Sequence, residues 1–108
     1  MNTLNITSPE EFSAALEEHP QLLVDFYKDD CPGCKMLDMS LGKFVATPAA
    51  EGVTLAKVKL EVIGEEFFFS HRLRQTPTLL YFRNGEEAGR SAGFVPPAKI
   101  ESLVKETA

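Results

Sequence analysis

The chain has 108 residues, the size of one compact domain, and we expect a single domain over residues 1–108. Its hydrophobic fraction of 44% and charged fraction of 25% are typical of a folded globular protein and exclude a disordered chain. Eleven basic against 16 acidic residues give a net charge of -5, and no stripe of Lys and Arg occurs, which argues against nucleic acid as a partner.

The N-terminus has neither the basic opening nor the apolar core of a signal peptide, and no window is long enough to span a bilayer. We therefore expect a cytoplasmic protein that does not bind membranes, and the polar balance predicts a monomer. Structural disulfides are rare in the cytoplasm. The two cysteines, Cys31 and Cys34, are thus expected to be catalytic or metal-binding.

The first elements are a short strand, a helix and a buried strand. Leu4 to Ile6 is a short apolar run. Ser8 then reads as an N-cap, followed by proline at the first helical position and a capping-box glutamate, so a helix is predicted over Pro9 to Glu18. Leu22 to Tyr27 is apolar except for Asp25, which predicts a central strand covered on both faces.

The middle of the chain predicts a helix, a strand and a further helical stretch. The second helix is expected from Cys31 to Ala46, because Pro48 cannot continue it. Val53 to Leu60 reads as a strand, and Gly64 to Leu73 as a helix.

The last third predicts a hairpin and a helix. Thr78 to Phe82 is a strand, Asn84-Gly85 a hairpin turn, and Glu86 to Ala92 the returning strand. A final helix is expected from Pro96 to Lys105. This order predicts an α/β fold with a mixed sheet and helices on both faces.

The C-x-x-C pair at the junction of the buried strand and the second helix predicts a redox site. Two thiols on a first helical turn can close into a disulfide and reopen, whereas a link between residues three apart gives little stability. If Cys31 is the N-cap and Pro32 the first helical residue, the N–H groups of Gly33 and Cys34 point toward the Cys31 sulfur and favour its thiolate. Cys31 is therefore the predicted attacking sulfur.

Cys34 lies one turn further in, is expected to be the more buried thiol, and suits the role of resolving cysteine. It needs a base, and Asp25 is the candidate because burial raises the pKa of a carboxyl group. The alternative is an aspartate that is hydrated or salt-bridged. Lys57 could approach Asp25 across the sheet, or it could extend along the surface toward solvent.

Thr76-Pro77-Thr78 forms the entrance to a predicted strand, a position where proline is tolerated. A cis bond before Pro77 would leave the backbone of Thr76 free to pair with an extended peptide. The local sequence alone does not determine whether this bond is cis or trans.

Taken together, these motifs follow the order and spacing of the thioredoxin family across nearly the whole chain. The resemblance implies the thioredoxin fold, with a central mixed sheet of about five strands flanked by four α-helices. The matching motifs are Val24-Asp25-Phe26, Cys31-x-x-Cys34-Lys35-Met36, Lys57, Thr76-Pro77-Thr78, Phe82-x-Asn84-Gly85 and Gly93.

The resemblance also implies a role for each matching residue. Cys31 would be the nucleophile, Cys34 the resolving thiol, Asp25 the buried proton acceptor and Lys57 its neighbour. Pro77 would be a cis proline. The residues expected to line the substrate groove are Pro32, Gly33, Thr76, Pro77 and Gly93.

The activity implied by the resemblance is a thiol-disulfide oxidoreductase that reduces disulfides in protein substrates. It would need no cofactor beyond its own Cys31–Cys34 disulfide. No G-x-G-x-x-G motif is present, so the electrons must come from another protein, and the resemblance points to a flavin-dependent thioredoxin reductase.

The active-site dipeptide departs from the family pattern. Typical members have Trp-Cys-Gly-Pro-Cys, whereas this chain has Asp30 before Cys31, then Pro32 and Gly33, and contains no tryptophan. Proline directly after the first cysteine resembles glutaredoxin-type and oxidant-type motifs, whose disulfides are less reducing. This predicts a reduction potential above thioredoxin's value of about -270 mV.

Three alternatives remain open. A glutaredoxin-like enzyme would use glutathione, although no obvious cluster of charged anchors for that tripeptide is visible in the sequence. Two cysteines could supply half of a zinc or iron-sulfur site, with His19 and His71 too far away to complete it. A noncatalytic docking module could use the run Phe67-Phe68-Phe69, of which we expect at least two side chains in the core.

Overall fold

The computed structural model describes residues 2–106, which form one mixed five-stranded sheet with helices on both faces. The strands are β1 Thr3–Ile6, β2 Gln21–Tyr27, β3 Thr54–Lys59, β4 Thr78–Arg83 and β5 Glu86–Ala92. The helices are α1 Pro9–Glu18, α2 Pro32–Phe44, α3 Leu60–Ile63, α4 Glu65–Ser70 and α5 Pro97–Glu106, with a 3-10 turn at Pro48–Ala50.

Strand β2 lies at the centre of the sheet, whose strand order is β1-β3-β2-β4-β5. It pairs in parallel with β3 and antiparallel with β4. Its five interior residues are all buried, because helices cover both faces of the sheet at this point. The expected central strand is confirmed.

The two faces of the sheet pack into two separate cores, as the alternation of side chains along a strand requires. Residues at even positions of β2 face α1 and α4, and those at odd positions face α2 and α5. The first core includes Phe12, Leu22, Val24, Phe26, Phe68 and Leu80. The second includes Leu23, Leu37, Leu41, Leu55, Leu79 and Ile100.

The hairpin between β4 and β5 turns at Asn84-Gly85, as predicted. Both residues have positive φ, 52° and 85°, which suits the two-residue turn that matches the twist of antiparallel strands. Arg83 pairs with Glu86 directly across the turn.

Helix α2 is shorter than predicted at both ends. Cys31 has an extended backbone and caps the helix, so the first helical residue is Pro32. At the other end, the Thr47 hydroxyl donates to the Phe44 carbonyl at 2.7 Å, which closes the helix before Pro48 is reached. The 3-10 turn that follows was not predicted.

Of the predicted helix from Gly64 to Leu73, the structure forms only α4, Glu65–Ser70, and a further short helix that was not predicted, α3, precedes it at Leu60–Ile63. The described residues therefore contain five α-helices where four were expected. Gly64 has φ 99° and ψ 155°, which breaks the helical path between α3 and α4. Arg72 has φ 56°, so the chain leaves the helix after Ser70 and does not continue to Leu73.

The remaining boundaries match the predictions or differ from them by one residue at an end. The predicted strand Val53 to Leu60 runs from Thr54 to Lys59, because Leu60 already starts α3. The last helix begins at Pro97. Within residues 2–106, no helix is long and apolar enough to cross a membrane.

Two glycine substitutions should change stability in opposite directions. Gly85→Ala should lower the free energy of unfolding by about 1 kcal/mol, because an L side chain resists the positive φ of this turn. Gly42→Ala should raise it by about 0.5 to 1 kcal/mol, because Gly42 lies within α2 and no atom would crowd an added Cβ. Urea denaturation of the oxidised proteins measures both, and equal effects of the same sign would contradict the assigned backbone geometry.

Candidate active site

The chain turns sharply between β2 and α2 and so places Cys31 at the start of the helix. Asp30 has φ 53°, a left-handed conformation that aspartate tolerates better than most residues. Cys31 then adopts φ -125° and ψ 100°, and Pro32 takes the first helical position. The predicted N-cap geometry is therefore confirmed.

Cys31 and Cys34 form a disulfide. The backbone N–H of Cys34 donates to the Cys31 sulfur at 3.2 Å, and the Thr76 hydroxyl lies 3.7 Å from the same sulfur. Because a disulfide sulfur carries no hydrogen, the hydroxyl is the donor. The two cysteines are 7% and 5% exposed, so the expected difference in burial is almost absent. Donor contacts, not burial, distinguish the two sulfurs.

The loop before β4 faces the cysteines. The Thr76–Pro77 peptide bond is cis. A Cβ built on Gly33 would lie 3.3 Å from the Pro77 ring, so the start of α2 closely approaches this loop. Gly93 has φ 83°, and its N–H donates to the Pro77 carbonyl at 2.7 Å. The structure thus brings together Gly33, Thr76, Pro77 and Gly93 next to Cys31.

The backbone of Thr76 is available for pairing. Within the described part of the chain, neither its N–H nor its carbonyl has a hydrogen-bond partner. Pro32 is exposed at the start of α2. An extended peptide could therefore add main-chain hydrogen bonds to Thr76 while its disulfide approaches Cys31.

A cavity of about 170 Å³ adjoins Thr76. It combines three charged side chains, Lys28, Glu65 and Arg74, with an apolar wall that includes Leu60 and Phe69. The sequence shows no obvious cluster of charged anchors, because Lys28 and Arg74 are far apart in the chain. The fold brings both side chains into the lining of this cavity.

The three consecutive phenylalanines divide as predicted. Phe68 is 4% exposed in the core, and Phe67 packs against the same core. Phe69 is 69% exposed and contributes to the wall of this cavity.

Asp25 lies at the centre of the sheet, on the face covered by α2, at a position equivalent to that of Leu23. Its side chain is 1% exposed, and neither carboxylate oxygen has a hydrogen-bond partner among residues 2–106. Burial raises the pKa of Asp25 from 3.8 to about 7, against the lowering effect of the Lys57 charge and with a further rise from Asp38. Asp25 can therefore exchange a proton near neutral pH.

Lys57 is the neighbour of Asp25 that the resemblance implies. The two residues are partners in the parallel pairing of β2 and β3, and the Lys57 ammonium lies 3.7 Å from the Asp25 carboxylate. The same ammonium lies 2.6 Å from Asp38 and 4.7 Å from the centre of the Tyr27 ring.

Asp38 is the charged residue of the site that sequence reasoning missed. It follows Cys34 by four residues in α2 and so shares a helix face with it. That spacing is the signal that could have identified it.

A family model for Thioredoxin matches residues 3–106. The chain belongs to the thioredoxin family. Since that family exchanges disulfides and Cys31 and Cys34 are linked here, the protein is a thiol-disulfide oxidoreductase acting on protein disulfides.

Individual relatives agree with the family assignment. Thioredoxin of Mycoplasmoides gallisepticum is 28% identical over 102 residues, which cover 94% of this chain and 98% of that protein. Human protein disulfide-isomerase A2 is 41% identical over 85 residues, which cover 74% of this chain but 15% of that protein. A mutant thioredoxin from Halobacterium salinarum has the same fold, with a TM-score of 0.85, 21% identity and coverage of 98% and 90% of the two chains.

The structure also bears on the metal alternative. Among residues 2–106, no group of three or more His, Cys, Asp or Glu side chains is arranged to hold a metal ion.

Replacing Asp25 should stabilise this thioredoxin-family protein above neutral pH. As pH rises from about 4 to about 7, the carboxyl group ionises in the unfolded chain while it stays protonated in the folded one, so the folded state loses stability. Asp25→Asn removes that loss and should raise the free energy of unfolding at pH 8 by roughly 2 to 4 kcal/mol.

Urea denaturation of the oxidised wild type and variant at pH 4 to 8 measures this effect. The gain should be smallest at pH 4 and level off above pH 7. A gain that does not change with pH would mean that Asp25 ionises in the ordinary acidic range.

Proposed function

We propose that the protein reduces disulfides in protein substrates, with Cys31 as the nucleophile and Cys34 as the resolving thiol. The observation that carries this assignment is the position of the Cys31 sulfur, which accepts the Cys34 N–H at 3.2 Å and lies 3.7 Å from the Thr76 hydroxyl. Donors at a helix start stabilise a thiolate, which is the attacking form of a cysteine.

In the first step, the Cys31 thiolate attacks one sulfur of the substrate disulfide. The substrate S–S bond breaks, its other sulfur leaves as a thiolate and takes up a proton, and a mixed disulfide with Cys31 forms. The extended segment around the substrate cysteine pairs with the backbone of Thr76, against the surface formed by Pro32, Gly33, Pro77 and Gly93.

In the second step, Cys34 gives its proton to the Asp25 carboxylate and attacks the Cys31 sulfur. The Cys31–Cys34 bond forms, the bond from Cys31 to the substrate breaks, and the second substrate thiolate leaves and is protonated. The substrate has gained two electrons from the cysteine pair and two protons. One of these protons is matched by the Cys34 proton that passes to Asp25, and the other comes from solvent, because Cys31 reacts as a thiolate. The buried Asp25, with a pKa of about 7, supports its role as the acceptor.

The oxidised protein must then be reduced again. We propose that thioredoxin reductase supplies the electrons, that the Cys31–Cys34 disulfide is the sole redox group, and that the protein acts as a cytoplasmic monomer. The likeness to thioredoxins over nearly the whole chain supports the donor, and the charge of -5 supports a soluble, self-repelling monomer.

Glutathione is a second candidate donor. The order Cys31-Pro32 resembles glutaredoxin-type motifs. Lys28 and Arg74 line the cavity beside Thr76 together with Glu65, and the two cations could pair with the carboxylates of the tripeptide. The reduction potential distinguishes the two candidates.

The cysteine roles predict different outcomes for two matched variants. Cys31→Ser should abolish reduction of insulin disulfides, because the attacking sulfur is gone. Cys34→Ser should still attack but should accumulate a mixed disulfide with the substrate, detectable as an added mass that dithiothreitol removes. Turnover by Cys34→Ser at the wild-type rate without added thiol would contradict the assignment.

The reduction potential of the Cys31/Cys34 pair should lie above -270 mV by less than about 60 mV. Equilibration with a glutathione buffer, followed by trapping of free thiols, measures it. A value further above -270 mV, corresponding to more than roughly 3 kcal/mol for two electrons, would favour the glutathione-dependent or an oxidising role instead.

A further inference from the structure

Lys57 holds its ammonium group between two carboxylates, and the two contacts are unequal. Its Nζ donates a hydrogen bond to Asp38 at 2.6 Å, whereas the nearest oxygen of Asp25 lies 3.7 Å away, beyond hydrogen-bonding distance. The Lys57 ammonium is therefore hydrogen-bonded to Asp38 at the helix surface, whereas it lies close to the buried Asp25 without a hydrogen bond.

The three side chains form a gradient from solvent to core. The side chain of Asp38 is 49% exposed, that of Lys57 20% and that of Asp25 1%. On its other side, the Lys57 ammonium contacts the face of the Tyr27 ring, with 4.7 Å to the ring centre. Asp38 and Tyr27 together fix where the ammonium lies.

Among the described residues, two charged side chains act on Asp25. Lys57 approaches it from β3 and Asp38 from α2, and the cysteine pair lies at the start of the same helix. On the β4 side its register partner is the apolar Leu79. Asp38 is therefore the negative charge that acts on Asp25 within the described part of the chain.

We propose that Asp38 is a positioning residue for disulfide exchange: it holds Lys57 away from Asp25 and so preserves Asp25 as the proton acceptor for Cys34. The proposal rests on the role of Asp25 given under the proposed function. Without Asp38, the ammonium could move the short distance needed for a direct hydrogen bond to Asp25. That bond would stabilise the ionised carboxylate and make it a weaker base.

Electrostatics support this geometry. The negative charge of Asp38 raises the pKa of Asp25 directly, whereas the nearby Lys57 ammonium lowers it. Because Lys57 donates its short hydrogen bond to Asp38 and lies 3.7 Å from Asp25, it lowers the pKa of Asp25 less than a short direct hydrogen bond would. Burial lowers the pKa of Lys57, but the hydrogen bond to Asp38 and the nearby negative charges outweigh this effect, so the pKa is raised above its usual value. The lysine thus stays charged throughout the working range.

The test compares Asp38→Asn with Asp29→Asn. Asp29 is a matched control, because it forms an ion pair at 2.8 Å with Lys59, which is also on β3, and its side chain is 57% exposed. Each variant removes one negative charge near the site, but only Asp38→Asn affects the group that binds Lys57.

The first readout is the titration midpoint of Asp25, measured by carboxyl carbon NMR on the oxidised protein, in which neither cysteine titrates. The signal is assigned by its loss in Asp25→Asn. We expect Asp38→Asn to move the midpoint down by about half a pH unit or more, and Asp29→Asn to leave it within about 0.2 units. An unchanged or higher midpoint in Asp38→Asn overturns the proposal.

The second readout is the rate at which Cys34 resolves a mixed disulfide formed between Cys31 and thionitrobenzoate. Asp38→Asn should shift the pH profile of this rate downward and lower its plateau by roughly twofold, because a weaker base accepts a proton less readily. A shifted midpoint with an unchanged rate profile would also overturn the role in exchange.

Failure of the underlying assignment gives a different result. If Asp25→Asn resolves the mixed disulfide at the wild-type rate and with the wild-type pH profile, Asp25 is not the proton acceptor. The NMR comparison of Asp38→Asn and Asp29→Asn still reports whether Asp38 controls the ionisation of Asp25.

Discussion

The pairing of β2 with β3 on one side and β4 on the other determines the geometry of the site. Strand β2 carries Asp25 and leads into Cys31, β3 places Lys57 opposite Asp25, and β4 starts directly after Pro77. The register of a strand decides which side chains lie on each face of the sheet, because a slip of one residue would turn every side chain of that strand to the opposite face. The hydrophobic cores that fix this register therefore also fix the relative positions of the catalytic groups.

The same arrangement carries an energetic cost at its centre. Asp25 lies on the same face of β2 as Leu23, which packs into the core two residues earlier. Within the described residues, neither oxygen of the Asp25 carboxylate has a hydrogen-bond partner. Burying an unpaired polar group opposes folding, yet the same burial brings the pKa of Asp25 to about 7. Destabilisation and proton exchange near neutral pH thus have one physical cause, as is common where titratable groups serve a reaction.

Residues with strong local signals were predictable, whereas those that depend on long-range packing were not. Asn84-Gly85 and the Ser8 cap follow from short-range backbone chemistry, and both occur as expected. The local sequence could not decide whether the peptide bond before Pro77 is cis or trans, because the two isomers differ by only about 0.5 to 1 kcal/mol in a free chain. Asp38 was missed for a related reason: a charged residue on an exposed helix face is ordinary until the strand beneath it is known to present Lys57.

The charge of the whole protein is a poor guide to the chemistry of its site. The net charge is -5, and Asp29 and Asp30 directly precede Cys31, so the charges on exposed carboxylates oppose a thiolate there. The donors that favour it, the Cys34 N–H and the Thr76 hydroxyl, act within hydrogen-bonding distance of the sulfur. Salt screens exposed charges beyond about 8 Å, whereas close donors in a buried site are screened much less. Short-range geometry at the start of α2 therefore controls the reactivity of Cys31, and the surrounding acidic surface acts mainly on solubility and on the encounter with partners.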